Sequence, residues 1–356
     1  MKPLAFAIPG DPETPTGGYR YDARIAAGLA DHGWAARPLR LGDDFPFPSA
    51  DSLAAAARAF AAIEDGMPAL VDGLAFGAMP ALAAEVAART PLVALVHHPL
   101  HLESGLDEAT RTRLRASESA ALANARGAIV TSARTARDVA ELGMDPARIR
   151  IVEPGTDPAP VARGSAPEEP FAFLSVGAAT PRKGHDVLIA AAARLARTGK
   201  TGGRPWRVHV VGALDRNPAH AAALGAAIAE HDLFDRVLLH GALDDESLAR
   251  LLDGADSFVA ASRHEGYGMA VAEALARGLP LVVARAGALS STAPEAASLR
   301  VEADDPAALA AALSALLSDE GLRQRLARGA RAAREALPRW DQQSARFAAA
   351  LSELLS

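Results

Sequence analysis

The sequence contains no cysteine, which excludes disulfide bonds and thiolate metal ligands. Although 50% of the residues are hydrophobic, no apolar run reaches the length of about eighteen residues that a membrane-spanning helix needs. The N-terminal stretch 1–15 lacks the long apolar segment of a secretory signal and is typical of a first β-strand. These absences lead us to expect a soluble protein of the cytoplasm.

Neither sign of charge is in strong excess. The 356 residues include 37 Lys and Arg against 43 Asp and Glu, a net charge of −6, and the basic residues are dispersed along the chain. A nucleic-acid partner is therefore not expected. The densest basic cluster, RTRLR at 111–115, has acidic neighbours, which favours a solvated helix face, so peripheral membrane contact is not indicated.

Short apolar runs alternate with segments of helical period, a pattern typical of parallel α/β folds. The alternation is interrupted at 153–170, a proline-rich stretch that cannot sustain a helix or a strand. A chain of this length accommodates two domains. We predict doubly wound domains at 1–153 and 171–338, a linker at 154–170 and a last helix at 339–356, with ligands at the carboxyl ends of the strands.

The stretch SRHEGYGMAVAEALARGLP, at 262–280, combines a Gly-Tyr-Gly turn with two glutamates. A strand is predicted before the turn and a helix after it, so the turn lies where ligands are expected. Its glycines allow close approach to backbone N–H groups, and the N-terminus of the helix favours a phosphate. Glu273, about one turn into the helix, can accept hydrogen bonds from two hydroxyls, such as a ribose diol. Glu265 is placed at the other end of the same ligand.

A second loop follows the first strand of the second domain. In VGAATPRKGHDVLIAA, at 176–191, Arg182 and Lys183 stand at the beginning of a predicted helix. Adjacent cations suit a diphosphate. Because the helix dipole disfavours cations at this end, we expect an anion to compensate them.

Two other interpretations of these loops stay open at this point. Glu265 and Glu273 are also compatible with an ordinary loop charge and a solvated helix position. GYGMAV could be a dinucleotide-binding fingerprint, but Val271 stands where the third glycine belongs and no acidic residue lies near position 286.

Four motifs, taken together, resemble one known family. RHEGYGMAVAEALARGLPLVVARAGAL is similar to the Glu-x7-Glu region of the retaining family 4 glycosyltransferases, and VGAATPRKGHDVLI to their phosphate loop. IVEPGTD resembles their interdomain PNG-D segment, and TPTGGYRYDARIAAGLADHGW their N-terminal glycine-rich loop. The resemblance spans nearly the whole chain, and the motifs stand in the family's order.

This resemblance implies the GT-B fold, an α/β architecture of two doubly wound Rossmann-like domains that face a cleft. The domain at 1–153 would bind the acceptor, the domain at 171–338 the nucleotide-sugar, and the helix at 339–356 would cross back toward the N-terminal domain. The implied function is a retaining, metal-independent glycosyltransferase of the hexosyltransferase type. Its partners would be a nucleotide-sugar donor and a small-molecule, lipid or glycan acceptor.

The resemblance also implies roles for residues of the phosphate loop. Lys183 would act in catalysis by holding the donor diphosphate, with Arg182 assisting, and Glu273 would bind the ribose. Many family members carry an arginine directly after the Val-Gly pair, where this chain has Ala178. Arg182 is the candidate to supply that charge.

By the same likeness, Glu265 would be catalytic and face the donor sugar and phosphate. The backbone amides that would join it are those of Gly266, Tyr267 and Gly268. Gly17 and Gly18 would lie near the phosphates as part of the glycine-rich loop. These positions complete the donor site that the family implies.

His97 ends the predicted strand PLVALVH and matches the histidine of the family that contacts the transferred sugar. His98, the next residue, would alternate to the opposite side of the strand, so we choose His97 as the catalytic residue. The same alternation predicts that HHPLH, at 97–101, does not converge on a metal.

The reaction that the family implies places its main demand on stabilising the departing diphosphate. The sequence contains no Asp-x-Asp motif, and we expect no metal and no cofactor besides the nucleotide-sugar substrate. A sugar-nucleotide epimerase or a phosphorylase of the same fold, or a non-catalytic nucleotide-sugar-binding subunit, are the alternatives. The donor base, the donor sugar, the acceptor and the oligomeric state are not specified by the sequence.

Overall fold

The computed structural model describes residues 1–11, 14 and 16–356 of the chain. These residues form two compact units, one made of Met1–Gly155 with Pro338–Ser356 and the other of Thr156–Leu337. Each unit has a parallel sheet of six strands and its own apolar core. The predicted pair of Rossmann-like α/β domains is therefore confirmed. Pro15, part of the glycine-rich motif, lies outside the described residues.

The sheet of the first unit has the strand order β2-β1-β3-β4-β5-β6. Its strands are β1 (Lys2–Pro9), β2 (Trp34–Leu41), β3 (Ala69–Asp72), β4 (Leu92–Val96), β5 (Gly127–Val130) and β6 (Ile149–Ile151). Every residue of β3, β4 and β5 is buried. This burial explains their near-continuous apolar sequences, since strands of a parallel sheet are covered on both faces.

Helices α1 (Gly17–Leu29), α2 (Ala50–Ala61), α3 (Gly73–Phe76), α4 (Pro80–Ala87), α5 (Glu108–Leu122) and α6 (Ala133–Glu141) accompany this sheet. Side-chain caps begin several of them: the hydroxyl of Thr16 accepts from the Tyr19 N–H at the start of α1. The apolar run PALVDGLA is shorter as a strand than predicted. It changes into α3 at Asp72, whose carboxylate accepts from the Leu74 N–H at 2.7 Å and caps the helix.

The sheet of the second unit has the strand order β12-β11-β10-β7-β8-β9. Its strands are β7 (Phe171–Val176), β8 (Trp206–Val211), β9 (Val237–Leu239), β10 (Ser257–Ala260), β11 (Leu281–Ala284) and β12 (Ser298–Val301). The helices of this unit are α7 (His185–Thr198), α8 (Pro218–Glu230), α9 (Asp245–Gly254), α10 (Met269–Ala276), α11 (Leu289–Thr292), α12 (Pro306–Ser318) and α13 (Glu320–Arg334). Strand β12, with the sequence SLRV, was missed in the sequence because it is short and half polar.

Both strand orders contain a point at which the direction of chain progression across the sheet reverses. In the first sheet this point lies between β1 and β3, and in the second between β7 and β10. Loops at the carboxyl ends of the two strands diverge there and leave room for a ligand in doubly wound folds. The sites described below lie at these two points.

The last helix, α14 (Trp340–Leu355), belongs to the compact unit formed by the N-terminal residues. It lies against α1 and approaches it closely at Gly28, where a Cβ atom would come within 2.1 Å of the Ser344 hydroxyl oxygen. Phe347 and Leu351 are fully buried on its inner face. The predicted return of the C-terminal helix to the N-terminal domain is confirmed.

None of the described helices has the length and apolar character required to cross a bilayer. This result agrees with the absence of a long apolar run in the sequence.

Candidate functional site

In the second unit, the loop after β7 places Lys183 beside the loop after β10. A 3₁₀ turn, Pro181–Lys183, leads to Gly184, which has a φ of 65° and precedes α7. A Cβ atom on Gly184 would lie 2.0 Å from the carbonyl oxygen of Ala261. Only glycine therefore permits this approach of the two loops. Gly177 leaves room for the stem of Lys183, since a Cβ atom at position 177 would lie 2.9 Å from Cδ of Lys183.

The loop after β10 is held in place by backbone contacts around Glu265. The Ala288 N–H donates to the Glu265 carbonyl oxygen at 2.8 Å. Gly287, with a φ of 57°, packs on the same backbone, where a Cβ atom would come within 2.2 Å of that oxygen. These contacts fix the main chain from which the Glu265 side chain extends.

Glu265 is the centre of an ion cluster. Its Oε1 atom lies 2.6 Å from Nζ of Lys183 and accepts a hydrogen bond from the Ser262 hydroxyl at 2.8 Å, while its Oε2 atom lies 3.4 Å from Nη1 of Arg182. The residue is only 8% exposed. Burial raises the pKa of the Glu265 carboxyl, but Lys183 and Arg182 outweigh it and lower that pKa to about 2. The carboxylate is charged at neutral pH, and two cations surround it.

Arg263 connects the two loops. Its N–H donates to the Arg182 carbonyl oxygen at 2.7 Å, and its guanidinium donates to the Pro181 carbonyl oxygen. The same guanidinium binds both carboxylate oxygens of Asp186, at 2.9 and 2.7 Å, and lies 2.7 Å from Asp304. Arg263 therefore fixes the turn that carries Arg182 and Lys183.

Two helices begin at this point of the sheet. Both α7 and α10 follow a glycine in the left-handed region, Gly184 and Gly268, and within the described chain no side chain caps either helix. Their N-termini carry partial positive charge and N–H groups that can bind an anion. Glu273 lies in the second turn of α10 and is half-buried.

The predicted loop residues between Glu265 and α10 form a compact turn. Gly268 has a φ of 98°, and the Tyr267 carbonyl oxygen accepts from the Thr292 hydroxyl at 2.5 Å. Gly266 and Tyr267 are buried. The turn thus holds its peptide groups next to the ion cluster.

In the first unit, His97 lies just after β4 and faces two carboxylates. Its Nε2 atom lies 2.8 Å from Oδ1 of Asp22, on α1, and 3.4 Å from Oδ2 of Asp72, at the end of β3. Gly18 packs on the ring, since a Cβ atom there would lie 3.4 Å from Cδ2 of His97. Tyr21 meets the ring edge-on, with a distance of 5.1 Å between ring centroids.

Burial and mutual charge set the protonation of these groups. Burial lowers the pKa of His97, but Asp22 and Asp72 outweigh it and raise it to about 10. The pKa of Asp22 rises to about 7, because burial and the neighbouring Asp72 outweigh the stabilising charge of His97. The donor atoms of the three side chains lie within 4.8 Å of one another, close enough in principle for a cation. We interpret them instead as a hydrogen-bonded cluster, because the 2.8 Å distance requires a proton between Nε2 and Asp22.

The histidines of HHPLH each have a different carboxylate neighbour. His98 lies 3.8 Å from Glu103, and Nδ1 of His101 lies 2.7 Å from Glu118. His97 and His98 stand in a bend after β4 and not in the strand itself. The alternation of side chains along a strand was therefore the wrong reason for separating them, although their partners do differ.

The structure brings some of the predicted residues together. Lys183, Arg182 and Glu265 are in contact, and Gly18 lies on His97. Gly17 is the first residue of α1, and Glu273 lies in the second turn of α10. Sequence reasoning missed Asp72, Ser262 and Arg263 as parts of these sites. Asp72 could have been found as the polar residue that ends an apolar strand run.

Two family models match the chain. The model described as "Glycosyltransferase Family 4" matches residues 19–160, and the model described as "Glycosyl transferases group 1" matches residues 161–333. The chain belongs to the family 4 glycosyltransferases. The matched ranges include His97 in the first and the Lys183–Glu265 cluster in the second.

Curated relatives of this family 4 chain include two D-inositol 3-phosphate glycosyltransferases. The protein from Xylanimonas cellulosilytica is 34% identical over 236 residues, which cover 61% of this chain and 55% of the relative. The protein from Salinispora arenicola is 35% identical over 208 residues, which cover 52% of this chain and 46% of the relative. The chain spans about half the length of these relatives.

Solved structures of similar fold cover the whole chain. The sucrose-phosphate synthase from Thermosynechococcus elongatus has a TM-score of 0.83 at 22% identity, with 99% of both chains covered. Anabaena HepE in complex with UDP and glucose has a TM-score of 0.76 at 18% identity, with 99% of this chain and 100% of that chain covered. At these identities the likeness shows the fold, which is that of the GT-B glycosyltransferases.

Proposed function

We propose that the protein transfers a sugar from a nucleotide-sugar donor to an acceptor, with retention of configuration and without a metal ion. The observation that carries the proposal is the cluster of Lys183, Arg182 and Glu265 at the point where the strand order of the second sheet reverses. A ligand of doubly wound sheets is expected at this point. The cations and the two helix N-termini suit a diphosphate.

The donor diphosphate binds at Lys183 and Arg182 in this proposal. Lys183 is already held by Glu265, so its ammonium group needs no ordering when the phosphate arrives. The start of α10 contributes N–H groups and the positive end of a helix dipole. The carboxylate of Glu273, in the second turn of α10, accepts hydrogen bonds from the ribose hydroxyls.

Charge development in the reaction explains the need for these cations. As the bond between the sugar and the β-phosphate breaks, negative charge grows on the leaving diphosphate and positive character on the sugar ring. Lys183 and Arg182 stabilise the negative charge on the diphosphate. The Glu265 carboxylate, which is charged at neutral pH, is suited to stabilise the positive character of the sugar ring. The family resemblance supports retention, with the leaving phosphate assisting deprotonation of the acceptor on the same face of the sugar.

His97 is assigned to the transferred sugar on the family resemblance. Arg182 supplies the charge of the arginine that the family carries at the position of Ala178, because its guanidinium reaches the cluster of Lys183 and Glu265. Neither the acceptor nor the donor base follows from these residues.

The test is a panel of UDP-, GDP- and ADP-sugars incubated with the purified protein, with release of nucleotide and formation of product measured in the presence and absence of EDTA. We expect turnover of at least one donor, unchanged by EDTA, and a thermal shift with the matching nucleoside diphosphate. No turnover and no shift with any of them would contradict the proposal. Turnover only with added phosphate would indicate a phosphorylase, and binding without turnover a non-catalytic subunit.

A further inference from the structure

The environment of His97 in the first unit suggests a role for its two acidic neighbours. The Nε2 atom of His97 lies 2.8 Å from Asp22 and 3.4 Å from Asp72, so one ring nitrogen faces two carboxylates. The side chain of His97 is 20% exposed, whereas those of Asp22 and Asp72 are 0% and 4% exposed. A ligand can therefore contact the histidine ring. The buried aspartates can influence that ligand only through their effect on the ring.

The burial of Asp22 makes the protonation of this cluster important. Its Oδ2 atom is buried and has no hydrogen-bond partner among the described residues. An ionised carboxylate in such a place is costly unless a positive group compensates it. Two carboxylates next to one nitrogen also repel each other, and this repulsion favours a positive charge on that nitrogen.

Geometry then decides which ring nitrogen meets a ligand. Nε2 is directed at the carboxylates, and Gly18 covers the neighbouring Cδ2 atom. Within the described chain no hydrogen bond to Nδ1 is found, so Nδ1 remains for a substrate. In an imidazolium both nitrogens carry protons, and Nδ1 is then a donor and not an acceptor.

We propose that Asp22 and Asp72 are positioning residues that hold His97 as an imidazolium, whose Nδ1–H donates a hydrogen bond to an oxygen atom of the substrate. His97 in this state cannot act as a general base. The hydrogen bond from His97 to the substrate rests on the proposed function. The protonation of His97 by its acidic surroundings does not. The proposal thus adds Asp22 and Asp72 to the residues on which the reaction relies.

The acid–base properties agree with this arrangement. In the described part of the chain the titratable groups that contact the ring are Asp22 and Tyr21 from α1 and Asp72 from β3. Burial lowers the pKa of His97, but the carboxylates raise it to about 10, and the pKa of Asp22 rises to about 7. The imidazolium is therefore the form of His97 at neutral pH, below its pKa of about 10.

The experiment follows the histidine signals by NMR across the pH range in protein labelled with ¹³C and ¹⁵N at histidine. His97→Gln assigns the His97 signal. Asp72→Asn and Asp22→Asn test the two carboxylates, and Asp31→Asn, an exposed position of the same unit, is the matched control. Asp72→Asn removes the more distant carboxylate and keeps the polar cap of α3, so it remains informative should Asp22→Asn not fold.

In the wild type we expect the His97 ring to remain protonated on both nitrogens well above neutral pH. In Asp72→Asn and Asp22→Asn its pKa should fall toward the ordinary value of about 6.5, and Asp31→Asn should leave it unchanged. A wild-type His97 that titrates near its ordinary value would overturn the proposal, as would a pKa that neither substitution changes. A displacement of the His97 signal by Mg²⁺ or Mn²⁺ would also overturn it, in favour of a metal centre. None of these readouts requires a donor or an acceptor.

Discussion

Replacement of Lys183 tests the donor site most informatively, because the same side chain binds Glu265 and, in our proposal, the diphosphate. Lys183→Ala removes the 2.6 Å contact between Nζ and Oε1 of Glu265 and leaves Arg182, at 3.4 Å, as the cation of the cluster. A charge-assisted hydrogen bond to a desolvated anion contributes about 1.5 to 3 kcal/mol. The upper end applies here, since only 20% of the lysine side chain is exposed.

A loss of about 3 kcal/mol corresponds to a decrease of about 10²-fold or more in kcat/KM for the donor. The decrease should be accompanied by a smaller thermal shift with the nucleoside diphosphate, because the interaction is with the phosphate itself. Lys183→Met is a useful second variant, since it keeps an unbranched stem against Gly177 and removes only the charge. Lys200→Ala, at an exposed lysine of the same unit, is the matched control.

The assay compares initial rates of transfer at several donor concentrations for the wild type and the three variants, after circular dichroism has shown that each is folded. We expect Lys183→Ala and Lys183→Met to lose activity to a similar degree and Lys200→Ala to retain it. If Lys183→Met kept the kinetics of the wild type, Lys183 would not hold the diphosphate and the reasoning would be wrong. A double-mutant cycle with Glu265→Gln would then measure the ion pair alone.

Three further predictions concern other residues of the second unit. Glu273→Ala should lower kcat/KM by about 10²-fold or more, because a charged acceptor of the ribose hydroxyls is lost; kinetics equal to those of the control Glu230→Ala, at an exposed position, would refute the assignment. Arg263→Ala should weaken binding of the nucleoside diphosphate about tenfold in calorimetry, since the guanidinium holds the turn that carries Lys183; an unchanged Kd would show that the turn does not need it. His185 is 1% exposed, and burial, with the charge of Lys183, lowers its pKa from 6.5 to about 4. Between these two pH values the unfolded chain therefore binds a proton at His185 that the native chain does not. As a result, His185 does not reduce the free energy of unfolding above pH 6.5, but lowers it by about 1.4 kcal/mol per pH unit from there toward pH 4. Urea unfolding at neutral and at acidic pH should show this decrease and a shallower one in His185→Gln; equal slopes would contradict it.

The sequence predicted the local parts of the donor site because each part depends on neighbouring residues. Lys183 and Glu265 each follow an apolar strand run and precede a helix, and this arrangement is visible without a structure. Their contact was not derivable from composition or periodicity, because they are 82 positions apart in the chain. The pairing of β7 with β10 that brings them together is a property of the sheet.

The same limit explains what was missed in the first unit. Asp72 belongs to the run PALVDGLA, which has the composition of a single strand, and the change from strand to helix inside it depends on a capping hydrogen bond. Asp22 lies on α1, and it meets His97 only because β1, β3 and β4 are neighbours. A cluster whose three residues come from three separate elements of the fold can be recognised only after the strand order is known.

The central claim is that a nucleoside diphosphate binds against Lys183 and Arg182 at the start of α10. The most direct measurement is a crystal structure of the protein with UDP, GDP or ADP, whichever gives the largest thermal shift. We predict that the β-phosphate lies within hydrogen-bonding distance of Nζ of Lys183 and that a ribose hydroxyl contacts the Glu273 carboxylate. A nucleotide bound elsewhere, or a Lys183 that remains closed on Glu265 without contacting the phosphate, would contradict the claim.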